Sequence, residues 1–333
     1  MHDKWTHTAQ YFAIFRSLAK NSRVEELVCS FKPVELLVPT TLEGLSISPM
    51  PNITTLRLDS AHWTHSLAAS EMYIGTLIAS CSRLTRLEVN FVTTCARIFG
   101  ATLEDGNNVQ LPLEHLFMTG SIDGLTDPEI FSRHLRRLKT FGFQALTHKM
   151  LDVSWSLMAH YRIWPTQLYT RPQLDRGLSP FLQYIMQHPG LESLYYVDSV
   201  RNGNGDNPAL LRELLAALVP RHARTLQELE LFDSKTSWAL SWPGLPGEAE
   251  KMKNQLGQLK SLRRLAIRID WSMNSRFCST ILVRMAICSK FVLTQTTNQQ
   301  ESFSRDEQFC ISPHTCDRHS YVLVRAWAIS NIP

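Results

Sequence analysis

The feature that most constrains the fold of this chain is a six-residue spacing that recurs along most of its length. An apolar residue is followed by two free positions, Leu, one free position and usually a second apolar residue. Eight copies begin at Val24, Ile53, Leu84, Leu113, Leu135, Leu191, Leu226 and Leu262. The interval from Leu135 to Leu191, 56 residues, is long enough to hold one further degenerate copy between Phe143 and Gly190. The pattern predicts similar units stacked side by side.

Stretches with the apolar spacing of a helix precede most copies, over 11–20, 71–80, 179–187, 208–219 and 248–259. The last two apolar positions of each copy alternate like one face of a short strand. Neither element can bury its apolar side alone, so neighbouring units must stack. The predicted fold is therefore α/β, a leucine-rich-repeat solenoid in the form of an irregular horseshoe. Its parallel strands would lie on the concave face and its helices on the convex face.

The spacing also predicts the domain organisation. Residues 1–272 would form one array of about eight to nine irregular units, interrupted by an aromatic insertion at about 144–177. Residues 273–333 lack the spacing, which favours a non-repeat C-terminal cap or a partly disordered tail. A chain that is 44% apolar has ample material for such a core.

The free positions beside the last two apolar residues would line the concave side, and there we expect a partner-binding surface. Exposed aromatic side chains bordered by charges are typical of protein-binding hot spots. An alternative is that some of these rings pack under long loops as additional core. The candidate partner-binding residues are Phe117, Phe141, Tyr195, Val197, Phe232, Arg137, Lys139, Arg264 and Arg268.

Charge and polarity argue against several classes of partner. The net charge of +4 comes from 34 basic and 30 acidic residues, so we expect no nucleic-acid partner, and we interpret the basic runs 133–139, 221–224 and 263–268 as solvated faces. The start of the chain is polar and no apolar run is long enough for a membrane helix, so we expect no membrane partner and a cytoplasmic or nuclear location.

Catalytic and metal motifs do not stand out in the sequence. Hydrolase elbows, zinc-protease helices and kinase signatures are missing, so we expect a non-enzymatic protein without cofactors. The alternative is an enzyme or metal-binding protein that uses residues 151–176 or the cluster Cys310, His314, Cys316 and His319. The spacing of that cluster matches no usual zinc finger.

Copies such as LESLYYVDS (191–199), LQELELFDS (226–234) and LRRLAIRID (262–270) give this chain a resemblance to a known family. Over residues 8–272 the chain resembles the leucine-rich-repeat half of fungal F-box proteins. The resemblance implies a substrate-recognition component of a cullin-type ubiquitin ligase, in which the repeats hold the protein to be ubiquitinated. In that family an F-box precedes the repeats and binds the ligase adaptor. Here the first copy starts at Val24, so we expect no F-box and no adaptor contact of that kind.

Overall fold

The computed structural model describes residues 14, 16–21, 23–31, 48–60, 68–94, 99, 110–121, 133–145, 148–171, 179–198, 208–233, 251, 254–269, 290–295 and 322–324. Strands and helices alternate through much of this part of the chain. In chain order they are β1 (Glu26–Phe31), β2 (Thr55–Ser60), α1 (Ala68–Ser80), β3 (Arg86–Thr94), β4 (His115–Ser121), β5 (Thr140–Ala145), α2 (His148–His160), β6 (Gln167–Arg171), α3 (Ser179–Gln187), β7 (Ser193–Asp198), α4 (Pro208–His222), β8 (Glu228–Asp233), β9 (Arg264–Ile269), β10 (Lys290–Gln295) and β11 (Val322–Val324). The predicted α/β class is confirmed.

The chain divides into two compact units, one holding β1–β5 and the other holding β6–β11. Within the first unit each strand pairs in parallel with the next in the sequence. The same holds in the second unit from β6 to β10, and β11 pairs antiparallel with β10. The expectation of parallel strands is therefore confirmed for both units.

The leucines of the repeated spacing pair with one another along each unit. Leu27, Leu56, Leu87 and Leu116 are successive Cα partners in the first unit. In the second unit the partners are Leu168, Leu194, Leu229 and Leu265. Leu56, Leu87 and Leu116, like the four leucines of the second unit, are 0% exposed. Each leucine thus lies beside its equivalent in the next strand, and together these leucines form the sheet side of the core, called below the leucine face.

Backbone hydrogen bonds repeat with the strands. The residue that follows the first apolar position of a copy uses one carbonyl oxygen to accept two N–H groups of the next copy, at 2.7–3.1 Å. The acceptors are Glu25, Thr54, Thr85, Glu114, Thr166, Glu192 and Gln227. Because backbone donors rather than side chains make these bonds, the residue type at this position is free to vary.

Buried histidines make a second link between consecutive copies. The backbone N–H of Leu111 donates to Nδ1 of His134 at 3.1 Å, and that of Leu191 donates to Nδ1 of His222 at 3.2 Å. Nε2 of His222 donates to the carbonyl oxygen of Ile185 at 2.9 Å, and Nε2 of His188 donates to that of Pro165, also at 2.9 Å. His222 thus accepts at Nδ1 and donates at Nε2, which requires the neutral imidazole.

The expected aromatic insertion at about 144–177 is wrong, because this segment contains a helix and a strand of its own. Helix α2 and strand β6 occupy it, and Leu168 of β6 pairs with Leu194 of β7. Pro165, Leu168 and Thr170 have the spacing of the degenerate copy for which the interval between Phe143 and Gly190 leaves room, and Leu168 is in register with Leu194. Trp155 of α2 is 1% exposed and packs against Phe181 and Tyr184 at ring-centroid distances of 4.9 and 5.1 Å. The aromatic residues that suggested an insertion include core residues of a regular unit.

The segment 273–333, expected to be non-repetitive, includes one strand in the repeat register. Phe291 and Leu293 of β10 pair with Leu265 and Ile267 of β9. The copy at 288–293 was overlooked because it begins with Cys288 and has Phe instead of Leu at its centre. The rest of this segment, apart from β11, lies outside the described residues.

Candidate functional site

The side chains that alternate with the leucines project from the other side of the sheet, called below the opposite face. In the first unit this face is occupied by charges that pair with one another. Nε of Arg57 donates to both carboxylate oxygens of Asp59, at 2.9 and 3.1 Å, and lies 3.9 Å from Oε2 of Glu88. Glu88 also accepts from Arg86, and Asp59 accepts from Asn90. These groups satisfy one another across two strands, β2 and β3, which stabilises the sheet but favours no particular ligand.

Phe117 lies on the opposite face, in register between Glu88 and Gly142, but it is 2% exposed. The guanidinium of Arg86 lies 5.3 Å from the centroid of its ring. On the other side the ring rests where Gly142 leaves space, since a Cβ at that position would be 2.1 Å from Cδ1 of Phe117. The expectation that Phe117 is an exposed aromatic is therefore wrong, because its strand neighbours cover it.

Phe141 does not lie on the opposite face, because the fifth copy begins three residues later than expected. Phe141 and Phe143 pair with Leu116 and Met118, so the copy runs from Leu138 and not from Leu135. Phe141 is 0% exposed and stacks on Phe143 at 5.7 Å, so its assignment to the exposed surface is wrong. The spacing predicts a start at Leu135 because Leu138 fits the central position, whereas Phe141 fills that position in the structure.

Because the fifth copy starts at Leu138, Arg137 and Lys139 lie in the turn before β5 and not on the face of a strand. Both side chains are exposed there. Nζ of Lys139 lies 2.7 Å from Oε2 of Glu114, and this ion pair holds the pKa of the Glu114 carboxyl below its ordinary value. The two residues therefore lie apart from the side chains that alternate with the leucines.

The second unit presents a different set of side chains on the opposite face. Tyr169, Tyr195 and Glu230 are successive Cα partners on β6, β7 and β8, and we call them the Tyr-Tyr-Glu row. The rings of Tyr169 and Tyr195 are 5.6 Å apart at their centroids, and both residues are half-buried. Arg264, from the neighbouring row, places a guanidinium nitrogen 2.7 Å from Oε1 of Glu230. The row thus combines two accessible aromatic rings with an ion pair.

Glu230 is the residue of this row whose chemistry is most altered by its surroundings. Its side chain is 14% exposed, whereas that of Arg264 is 42% exposed. Burial raises the pKa of the Glu230 carboxyl, the charge of Arg264 opposes that change, and the nearby carboxylate of Glu228 adds to it. A partly buried carboxylate whose arginine remains accessible is a candidate for recognition of polar groups on a partner.

No protein-family model matches this chain, and no curated protein matches its sequence. Any assignment of function therefore depends on the surface itself. Within the described part of the chain, no set of three or more histidine, cysteine or acidic side chains is arranged to hold a metal ion. None of the described helices has the length and apolar character needed to cross a bilayer.

The remaining expected site residues belong to the second unit. Tyr195 is in the Tyr-Tyr-Glu row, and Arg264 forms an ion pair with Glu230 of that row. The backbones of Val197 and Phe232 are partners on β7 and β8, and Arg268 is on β9, but the side chains of these three residues lie outside the described part of the structure. The cluster Cys310–His319 also lies outside the described residues.

Two residues of the row, Tyr169 and Glu230, were missing from the expected set. The sequence gives no sign of Glu230, because burial by neighbouring strands is not visible in one strand's sequence. Tyr169 lay in the supposed insertion. A usable signal was the likeness of Leu168-Tyr169-Thr170 to Leu194-Tyr195-Tyr196, which places the two tyrosines at equivalent positions.

Proposed function

We propose that this chain is a non-enzymatic leucine-rich-repeat scaffold that binds a protein partner through the opposite face of its second unit. The observation that carries the proposal is the register of the leucines. When the leucines of consecutive parallel strands are partners, every alternate side chain is held at a fixed spacing on the other face. A partner would meet those side chains as a regular, pre-organised surface.

The composition of the Tyr-Tyr-Glu row supports a protein as the partner. Tyrosine buries a large area at low entropic cost and offers a hydroxyl group, which is why it is enriched where proteins bind one another. Arg264 remains partly accessible while paired with Glu230, so it can donate further hydrogen bonds to a partner's carbonyl or carboxylate groups. The first unit is less suited to this role, because its charges are paired internally and Phe117 is covered.

The family resemblance extends the proposal to a more specific role. A substrate receptor of a cullin-type ubiquitin ligase would hold its target on such a surface, and the cytoplasm or nucleus would be the compartment. Cys29 and Cys81 are free thiols, which supports a reducing compartment. Burial raises their pKa values to about 12 and about 11, so they stay protonated and unreactive.

Affinity capture from extracts of the source organism, followed by quantitative mass spectrometry, tests the proposal. We expect the double variant Tyr169→Ala/Tyr195→Ala to lose at least about ten-fold of the specific partner signal, because two neighbouring aromatic contacts are removed. The matched control is Tyr161→Ala, which removes a half-buried tyrosine that lies outside the Tyr-Tyr-Glu row.

Thermal unfolding of each variant separates a loss of binding from a loss of folding. The proposal requires that the double variant keeps a melting temperature close to that of Tyr161→Ala. An unchanged set of captured proteins would contradict the proposed surface. Ubiquitin-ligase subunits among the captured proteins would support the receptor role, and their absence from a confirmed partner set would remove it.

A further inference from the structure

A groove at the start of the strands that carry Tyr195 and Glu230 brings together two basic runs that are far apart in the sequence. It lies in the second unit where β7, β8 and β9 begin, and it has a volume of about 960 Å³. Arg224 comes from the run 221–224, whereas Lys260 and Arg263 come from the turn before β9. All three side chains are exposed. The described lining residues include one carboxylate, that of Glu192, so positive charge is in excess among them.

Small residues at equivalent positions form the floor of this groove. Gly190, Thr225 and Ser261 each directly precede the first apolar residue of a copy. In the other copies, with the fifth starting at Leu138, the same position is occupied by larger or rigid residues, namely Arg23, Asn52, Arg83, Pro112, Arg137, Trp164 and Ile287. Three consecutive small side chains therefore leave room that the other copies fill.

The groove is held open by hydrogen bonds within its own walls. The hydroxyl group of Ser261 donates to the carbonyl oxygen of Arg224 at 2.6 Å, which joins the two turns that carry Arg224 and Lys260. The N–H of Arg263 donates to the carbonyl oxygen of Gln227 at 2.7 Å. The cationic side chains therefore project from turns fixed to one another, which lowers the cost of ordering them around a ligand.

We propose that this groove binds an acidic peptide segment, and that it forms a second contact site for the protein partner of the Tyr-Tyr-Glu row. The inference rests on the proposed function, because it extends the same binding surface towards the start of the strands. Arginine and lysine side chains recognise carboxylates by charge-assisted hydrogen bonds. The side-chain amide of Gln227 in the lining is a further donor that matches peptide carbonyl and carboxylate groups.

An acidic peptide fits the lining better than a nucleic acid does. Among the described residues that line the groove none is aromatic, so unpaired bases would find no stacking partner in this lining. The chain as a whole has nearly balanced charge, 34 basic against 30 acidic residues, which is unlike the broad positive surface of most nucleic-acid binders.

Fluorescence anisotropy of the full chain with a labelled deca-glutamate peptide tests the inference. We expect saturable binding that weakens with added salt, and a loss of at least about ten-fold in affinity for Arg224→Glu/Lys260→Glu. The matched control is Arg133→Glu/Arg136→Glu, which changes the net charge by the same amount at two exposed arginines of the first unit. This control should bind the peptide within about two-fold of the unchanged protein.

A steric variant distinguishes the groove from a diffuse positive field. Gly190→Trp adds no charge but fills the groove, and we expect it to weaken peptide binding as strongly as the charge reversal does. Gly190→Ala should bind normally, because a Cβ there would lie 3.8 Å from Cγ2 of Thr225, an ordinary contact. Circular dichroism of each variant verifies that it is folded.

The inference is overturned if both charge reversals weaken binding equally, if Gly190→Trp binds normally, or if a labelled ten-residue oligothymidine binds as tightly as the peptide. Each of these results leaves the proposed function intact, because its test uses Tyr169 and Tyr195. Conversely, Tyr169→Ala/Tyr195→Ala should still bind deca-glutamate. If that double variant captured an unchanged set of proteins while the deca-glutamate results held, the outcome would therefore count against the Tyr-Tyr-Glu row alone.

Discussion

Gly142 shows how a single residue fixes the packing on the opposite face of the first unit. Its missing side chain is the space that the ring of Phe117 occupies, with Arg86 on the other side of the ring. The contact between Gly142 and Phe117 could not be predicted from the sequence, because it joins β4 and β5 and the spacing places the start of the β5 copy three residues too early. The burial of Phe117 depends on that glycine more than on its own position in β4.

We expect Gly142→Ala to destabilise the protein by roughly 1–3 kcal/mol, because the new methyl group forces the buried ring to move. Urea unfolding measures this change. Gly257→Ala is the matched control, since nothing lies within 4 Å of its added Cβ. In the background of Phe117→Ala the cost of Gly142→Ala should largely disappear. Equal destabilisation by both glycine substitutions would show that the ring does not press on Gly142.

At the scale of the element, the repeated spacing predicts more about strands than about helices. Helices α3 and α4 begin where the sequence indicates, at Ser179 and Pro208, and the leucine-bearing strands are present. The copies that the spacing does not locate have Phe141, Thr170 or Phe291 where the pattern requires Leu or a second apolar residue. In each case pairing with the neighbouring strand, which the sequence of one copy does not contain, fixes the register.

The buried histidines make hydrogen bonds between consecutive copies, and their pKa values predict that the stability of the fold depends on pH. Burial lowers the pKa values of His134 and His188 to about 4 and also lowers that of His222. In the unfolded chain these histidines would bind a proton below about pH 6.5, the ordinary histidine pKa. In the folded chain His134 and His188 remain neutral until the pH falls to about 4. Stability should therefore be full above pH 6.5 and fall as the pH decreases towards 4.

The loss is at most roughly 3 kcal/mol for each histidine whose pKa reaches about 4, and urea unfolding at pH 7.5 and pH 4.5 measures it. His188→Leu should be less stable than the unchanged protein at pH 7.5, since Gly190 loses its acceptor, but should lose less stability on acidification. His160→Leu, at an exposed position of α2, is the control and should keep the full pH dependence. A pH dependence unchanged in His188→Leu would contradict this role.

At the scale of the molecule, each of the two units repeats one rule, in which parallel strands follow one another in sequence order with their leucines as partners. The sequence predicts this rule well, because it needs only a local spacing. The binding surface is less predictable, since exposure on the opposite face depends on which side chains neighbouring strands bring together. Paired charges close that face in the first unit, whereas the Tyr-Tyr-Glu row leaves two tyrosines accessible in the second.

The register of β7 and β8 can be measured directly by disulfide trapping, and it tests the claim from which the proposed surface follows. Tyr195 and Glu230 are Cα partners, so Tyr195→Cys/Glu230→Cys should form a disulfide readily on mild oxidation, as seen by peptide mapping with mass spectrometry. Tyr195→Cys/Glu228→Cys places the second thiol two residues away along β8, beyond the about 7 Å Cα separation that a disulfide tolerates, and should form little. Equal trapping in both pairs, or preferential trapping in the second, would contradict the in-register stacking of the copies.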